Sequence, residues 1–308
     1  MIGRAPSRSR CWLCWLAAAL VIAPGAAVAA AGDDPPRCFM WRVAGDGGTV
    51  DLLGSIHFMK EDAYPLDAAI ERAYAAADTL VFETDLDQAE RAGAEMLRRG
   101  TLDGDLTLVD VIGDERSREL EAWLSERGLS VAMFNRMRPW MVALSVTAFE
   151  LQRQGYLGTQ GIDARFAERA ANDGKRVVAL ETFDYQISLF ADMTDVQGAE
   201  FLGYTMTELE TIVPLIDDVV AAWTSGDVAA VEQLLADGFD EHPELFRKLV
   251  TDRNRRWLPE IEELLRAEGD GLVVVGALHL VGEHGLIEML RSKGYEVEQV
   301  PRAGTGGP

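Results

Sequence analysis

The 308-residue chain is 48% hydrophobic and 26% charged, a globular composition that excludes disorder, collagen-like repeats and a coiled coil. Its formal charge of −22 excludes nucleic acid as a partner, because such binding relies on clustered Lys and Arg. The length suits one large α/β unit or two modest domains.

Arg4, Arg8 and Arg10 precede an apolar stretch at 11–23 and then small residues at 26–31. That order reads as a cleaved secretory signal over 1–31, with export to the periplasm or medium as its consequence. The alternative is a membrane anchor, but the apolar core is shorter than the roughly 20 residues a span needs, and no later stretch could cross a bilayer. Cys11 and Cys14 would leave with the signal, so Cys38 is the one mature cysteine and no internal disulfide can form. Cys38 near the first strand reads as a packing residue, with a reactive nucleophile as the alternative.

Two β-type runs, 39–43 and 49–53, flank a Gly-rich turn and predict a hairpin. Pro65 is expected to open a helix, and a buried strand at 79–82 ends at Glu83. Helical periodicity then covers 89–98, 115–127 and an apolar helix opened by Pro139. A helix over 161–171, a strand over 176–180 ending at Glu181, and further helices over 197–265 follow. The buried strand 272–275, a short helix over 284–291 and a last strand over 296–300 complete the mature unit. Residues 303–308 are expected to be a loose tail. Strands from both ends and the middle imply one mixed α/β domain over 32–302 with surrounding helices and a large helical insertion. A two-domain split near residue 155 is the weaker alternative, since neither half supplies more than a few strands.

Two of these strands end alike, in Gly54-Ser55-Ile56-His57 and Gly276-Ala277-Leu278-His279. A glycine allows a sharp turn after a buried strand, which would present both imidazoles at the sheet edge where α/β proteins build sites. Glu83 and Glu181 each follow an apolar run; each is either a solvated end residue or a carboxylate aimed into the same cleft. Leu245, Leu249, Arg253 and Trp257 step by four, so Arg253 rides the apolar stripe while Asn254, Arg255 and Arg256 face elsewhere. A buried guanidinium needs an acid partner or an anionic group, so Arg253 is a structural ion pair or a binder of a substrate carboxylate or oxyanion. Asp163 reads as a helix cap, and His242 and His284 as surface residues.

These residues resemble the TraB/GumN family, which includes the Tiki proteins. The likeness is carried by residues 41–57, the Pro65 helix, 80–83, Gly161-Ile162-Asp163, Leu180-Glu181-Thr182 with Gln186, Arg253-Asn254 with Trp257, and 275–286. The family is similar in turn to the erythromycin esterase and ChaN-like superfamily, which implies a mixed α/β fold. Tiki members are metal-dependent peptidases that trim secreted signalling proteins, TraB members act in pheromone shutdown, and GumN is encoded with exopolysaccharide genes. By resemblance, His57, His279 and Glu83 would hold a divalent ion (Mn²⁺, Co²⁺ or Zn²⁺). Glu181 is the alternative carboxylate ligand to Glu83; whichever glutamate does not bind the ion would act as general base, and Arg253 would stabilise the oxyanion. The leading expectation is an exported, metal-dependent, peptidase-like hydrolase acting on a peptide or on a small amide or ester. A metal-free His/Glu hydrolase of the esterase type and a non-enzymatic peptide-binding module are the alternatives. The sequence gives no oligomeric state.

Overall fold

The computed structural model describes residues 36–85, 89–209, 212–236 and 243–303. The proposed signal 1–31, His242 and tail residues 304–308 lie outside the described residues. The expected hairpin is β1 (Arg37–Ala44) with β2 (Thr49–Ser55), paired antiparallel. α1 (Ala68–Ala76) starts later than Pro65, at Asp67, whose side chain accepts from the Ala69 amide and caps the first turn. β3 (Thr79–Phe82) is buried throughout.

The insertion follows as α2 (Ala89–Gly100), α3 (Leu108–Ser125) and α4 (Pro139–Arg153). α3 is interrupted at Gly113, whose φ of 79° only glycine adopts readily, so the sequence signal began after that break. Pro139 opens α4, where its missing amide N–H leaves no helical bond unmade. α5 (Ile162–Asp173) leads to β4 (Arg176–Ala179), and α6 (Phe183–Ala191), α7 (Asp195–Glu208), α8 (Ile212–Ser225) and α9 (Val228–Ala236) follow. α10 (Pro243–Phe246) runs through a π-helical turn, Arg247–Thr251, into α11 (Asp252–Arg266). β5 (Gly271–Gly276), α12 (Leu286–Ser292) and β6 (Val297–Pro301) close the fold.

The strands form a single sheet in the order β4-β3-β5-β2-β1-β6. β4, β3, β5 and β2 run parallel; β1 pairs antiparallel with β2, and β6 pairs antiparallel with β1 and so runs in the direction of the four parallel strands. The fold is therefore the expected mixed α/β architecture, and the sheet draws strands from both sides of residue 155. One buried cluster packs on the sheet, and a second joins the insertion to α7, built on residues such as Leu120, Trp140 and Phe201. β5 shows why its segment is a strand: three consecutive valines, fully buried, fit the pleated interior. β4 differs from its sequence reading. It is an edge strand with three of its four residues exposed, so the apolar run ending at Glu181 is not buried.

Ala303, expected in the loose tail, is held by Asp67, which accepts from its amide. Cys38 is buried, and burial with the neighbouring Asp67 pushes its thiol up to about 12, the state of a packing residue. Among the described residues no helix is long and apolar enough to cross a membrane.

Candidate active site

Strand register decides where the site forms. Leu53 and Phe82 both lie level with Val274, and Phe82 also lies level with Ala179, so the four parallel strands end at one edge. His57, Glu83, Glu181 and His279 follow those ends, at the carboxyl edge where α/β sheets bind ligands. The β3–β4 ladder continues past the strands, with the Glu181 amide donating to the Glu83 carbonyl at 2.9 Å, which sets the two glutamates side by side.

Close packing, and not a sharp turn, explains the glycines of the two G-x-x-H segments. A β-carbon on Gly54, which lies inside β2, would come within 2.5 Å of the Phe39 ring. One on Gly276 would lie 3.3 Å from Glu83 Oε1, 3.6 Å from His279 Cδ2 and 3.8 Å from His57 Nε2. The three sequence-predicted side chains thus converge on one point.

Arg253 stands beside that point, buried to 2% exposure with its guanidinium 4.5 Å from the Trp257 ring centre. Its Nε donates to both oxygens of Glu181 at 3.1 Å. One terminal nitrogen donates to Glu83 Oε2 at 2.5 Å and Glu181 Oε1 at 2.6 Å. The other donates to the Leu249 carbonyl at 3.2 Å and meets His279 Nε2 at 3.0 Å. All five N–H groups are engaged, so none remains for a substrate oxyanion. The two carboxylates answer this shared cation in opposite ways. Burial pushes both up; for Glu83 the guanidinium, His279 and His57 overcome it and hold the acid well below its usual range. Glu181 stays raised by burial and by the Glu83 charge, against Arg253.

The two histidines differ as well. His279 is 4% exposed; its Nδ1 meets Asn254 Oδ1 at 2.7 Å, while the Asn254 Nδ2 donates to the carbonyls of His279 and His284 at 3.1 and 2.8 Å. Those two donated bonds fix the amide orientation, so His279 carries its proton on Nδ1 and Nε2 accepts from Arg253. Burial and the adjacent guanidinium lower His279 to about 3. His57 keeps 38% of its side chain exposed, and its Nδ1 meets Asp163 Oδ2 at 3.0 Å. Burial acts downward on His57, but the Asp163 charge and hydrogen bond outweigh it and raise the imidazole to about 9.

Asp163 is therefore the His57 partner and not a cap; Gly161 holds the cap position of α5. A β-carbon on Gly161 would lie 2.3 Å from the His57 carbonyl, so only glycine lets the start of α5 dock there, with the Ile162 amide donating to Ile56. Asn254 does not face away either: it is fully buried. Gln186 donates to Glu83 Oε2 at 3.1 Å and the Trp257 indole to Glu181 at 3.2 Å. Periodicity gives none of these partners; their places beside the recognised motifs were the available signal. His284 is exposed, as expected.

A divalent ion does not fit this donor set as arranged. Among the described residues no group of three or more His, Cys, Asp and Glu side chains could hold a metal ion. The physical reason is Arg253, a cation already bound to Glu83 and Glu181 and donating to the His279 lone pair that a metal would need.

The site opens into a cavity of about 340 Å³ that includes His57, Glu83, Asp163, Arg253 and His279 in its lining. The chain is 28% identical over 240 residues to the uncharacterized protein YbaP of Escherichia coli, covering 78% of this chain and 87% of that protein. It is 25% identical over 217 residues to the zebrafish protein named metalloprotease TIKI2, covering 61% of this chain and 41% of that protein. No solved structure matches. The TraB/PrgY/gumN family profile matches residues 39–299, nearly the whole described chain, and the protein belongs to that family.

Proposed function

We propose that the protein hydrolyses an ester or amide bond, with His57 as the base that activates water. The observation that carries this reading is the His57–Asp163 pair: Asp163 fixes Nδ1 as the protonated nitrogen, and among the described residues Nε2 takes no hydrogen bond at the cavity. In the neutral imidazole, Nε2 takes a proton from water as the water oxygen adds to the carbonyl carbon. The carbonyl electron pair moves to its oxygen. Collapse of that intermediate breaks the bond to the leaving oxygen or nitrogen, which receives the proton from Nε2. Glu83 Oε1, facing the same point, accepts from the water and orients it. Arg253 holds Glu83 ionised and keeps the His279 lone pair occupied, and Glu181 completes the charge balance around that guanidinium.

The metal-dependent version draws support from the printed name of the zebrafish relative and from the convergence on Gly276. The engaged Arg253 argues against it, and no step here passes through an ion. Export remains part of the proposal, resting on the arginine-then-apolar order of the N-terminus.

Hydrolysis of a p-nitrophenyl octanoate by the purified mature chain, with and without EDTA, tests the reading. Turnover that survives chelation and is lost in His57→Ala supports it. Turnover abolished by EDTA and restored by Mn²⁺, Co²⁺ or Zn²⁺ overturns the metal-free mechanism, and no turnover by the wild-type chain overturns the esterase.

A further inference from the structure

The cavity is lined by two unlike sets of residues. His57, Glu83, Asp163, Arg253 and His279 form the set at the sheet edge. The remaining lining includes an apolar wall from α2, α4 and α6, through Met96, Leu144, Phe183, Ile187 and Phe190, with Phe58 next to His57 in the chain. Among the described residues that wall carries no ionisable side chain, and its one amide, Gln186, turns to Glu83. A volume of about 340 Å³ is within the range of small-molecule pockets.

A second observation concerns a hydroxyl in the same lining. Ser55 is 1% exposed, lines the cavity two residues before His57, and its hydroxyl has no hydrogen-bond partner among the described residues. A buried hydroxyl left unpaired is costly, so this one is placed for a polar atom that arrives with a ligand. In the matching segment of β5 the equivalent residue is Ala277, so the G-x-x-H geometry itself does not require a hydroxyl. Arg253 has no donor left for a carbonyl oxygen, and Ser55 has one.

We infer that the substrate is an ester or amide whose bulky apolar acyl group fills the chamber between α2, α4 and α6 while its carbonyl oxygen accepts from Ser55 Oγ. The hydrolytic outcome rests on the proposed function; the binding preference stands apart from it. Ser55 gives no electrons and forms no bond in this assignment. It donates a hydrogen bond that strengthens as charge builds on the oxygen.

Binding to the hydrolysis-incompetent His57→Ala chain separates the two claims. Calorimetry with butanamide and octanamide is expected to show octanamide bound about tenfold or more tighter, because four added methylenes leave water. Adding Met96→Glu, a half-exposed position on α2 that tolerates a charge, should reduce that ratio to near one, with folding checked by circular dichroism. Adding Ser55→Ala should weaken both amides by about the same few-fold factor and leave the ratio intact. Equal binding of the two amides, a ratio untouched by Met96→Glu, or amide affinity untouched by Ser55→Ala would overturn the inference. Octanamide preference without any octanoate turnover by the wild-type chain would overturn the hydrolase and leave the acyl site standing.

Discussion

At the end of β2, His57 keeps 38% of its side chain exposed and leans on a carboxylate; at the end of β5, His279 is 5% exposed and leans on an amide and a guanidinium. The local sequence is almost the same in both places, glycine three residues before histidine after a buried strand. Residues more than twenty positions away set the chemistry. α5 brings a negative charge to one ring, and α11 brings a positive charge to the other. One imidazole is raised to about 9 and the other lowered to about 3, so the pair divides into a base at the cavity and a neutral structural acceptor.

The largest test of this division is to truncate each ring in turn. His57→Ala should reduce ester turnover by about 10²–10⁴-fold, the usual range for a general base, and above pH 9, where the His57–Asp163 ion pair no longer contributes, should change the melting temperature little. His279→Ala should lose stability first, because it leaves Arg253 and Asn254 each short of a partner in a dry interior. Matching losses of stability in the two variants would erase the distinction.

Next in size is the cation that His279 serves. Arg253→Met leaves Glu83 and Glu181 buried without their shared partner, an expected loss of about 3–5 kcal/mol, readable by urea unfolding. A loss below about 1 kcal/mol would mean that the guanidinium does not organise the site.

The two rings should also give stability a pH dependence of opposite sign. His57 binds its proton more tightly in the folded chain than its ordinary 6.5, so its contribution is complete below pH 6.5 and is lost as the pH rises through about 9. His279 resists protonation, so its contribution is complete above pH 6.5 and falls away toward about 3. Unfolding free energies of wild type and Asp163→Asn should therefore converge between pH 6.5 and 9. Turnover, which needs the neutral His57 imidazole, should rise with pH through a midpoint near 9, and the same substitution should move that rise to below 7, since it removes the charge that raises His57. An unmoved midpoint would assign the titration to another group.

The smallest effect belongs to the point where the rings meet. Gly276→Ala brings a β-carbon to 3.3 Å from Glu83 Oε1, so the carboxylate must give by a few tenths of an ångström against its bonds to Arg253, Gln186 and the Gly276 amide. A modest loss of turnover with unchanged stability is expected, read from kcat at constant melting temperature.

Much of this site is legible in the amino-acid sequence. The apolar runs ending at His57, Glu83 and His279 are real buried strands, and the four-residue step of Leu249, Arg253 and Trp257 put the guanidinium inside. The partners were not legible for physical reasons. Asp163 sits in the first turn of α5, where an acid favours the helix dipole anyway, so its type carries two readings. Asn254 lies one residue beyond Arg253, and a helical stripe does not state how wide the buried face is. β4 looked buried because Val177 and Val178 suit any strand, and only the strand order made it an edge.

Histidine NMR measures the central division directly. In a chain carrying His242→Gln and His284→Gln, only the two motif imidazoles remain of the four histidines. The expected spectrum has one ring titrating near pH 9 and one held neutral, with its proton on Nδ1, until the protein unfolds in acid. Two rings titrating together near 6.5 would contradict the account.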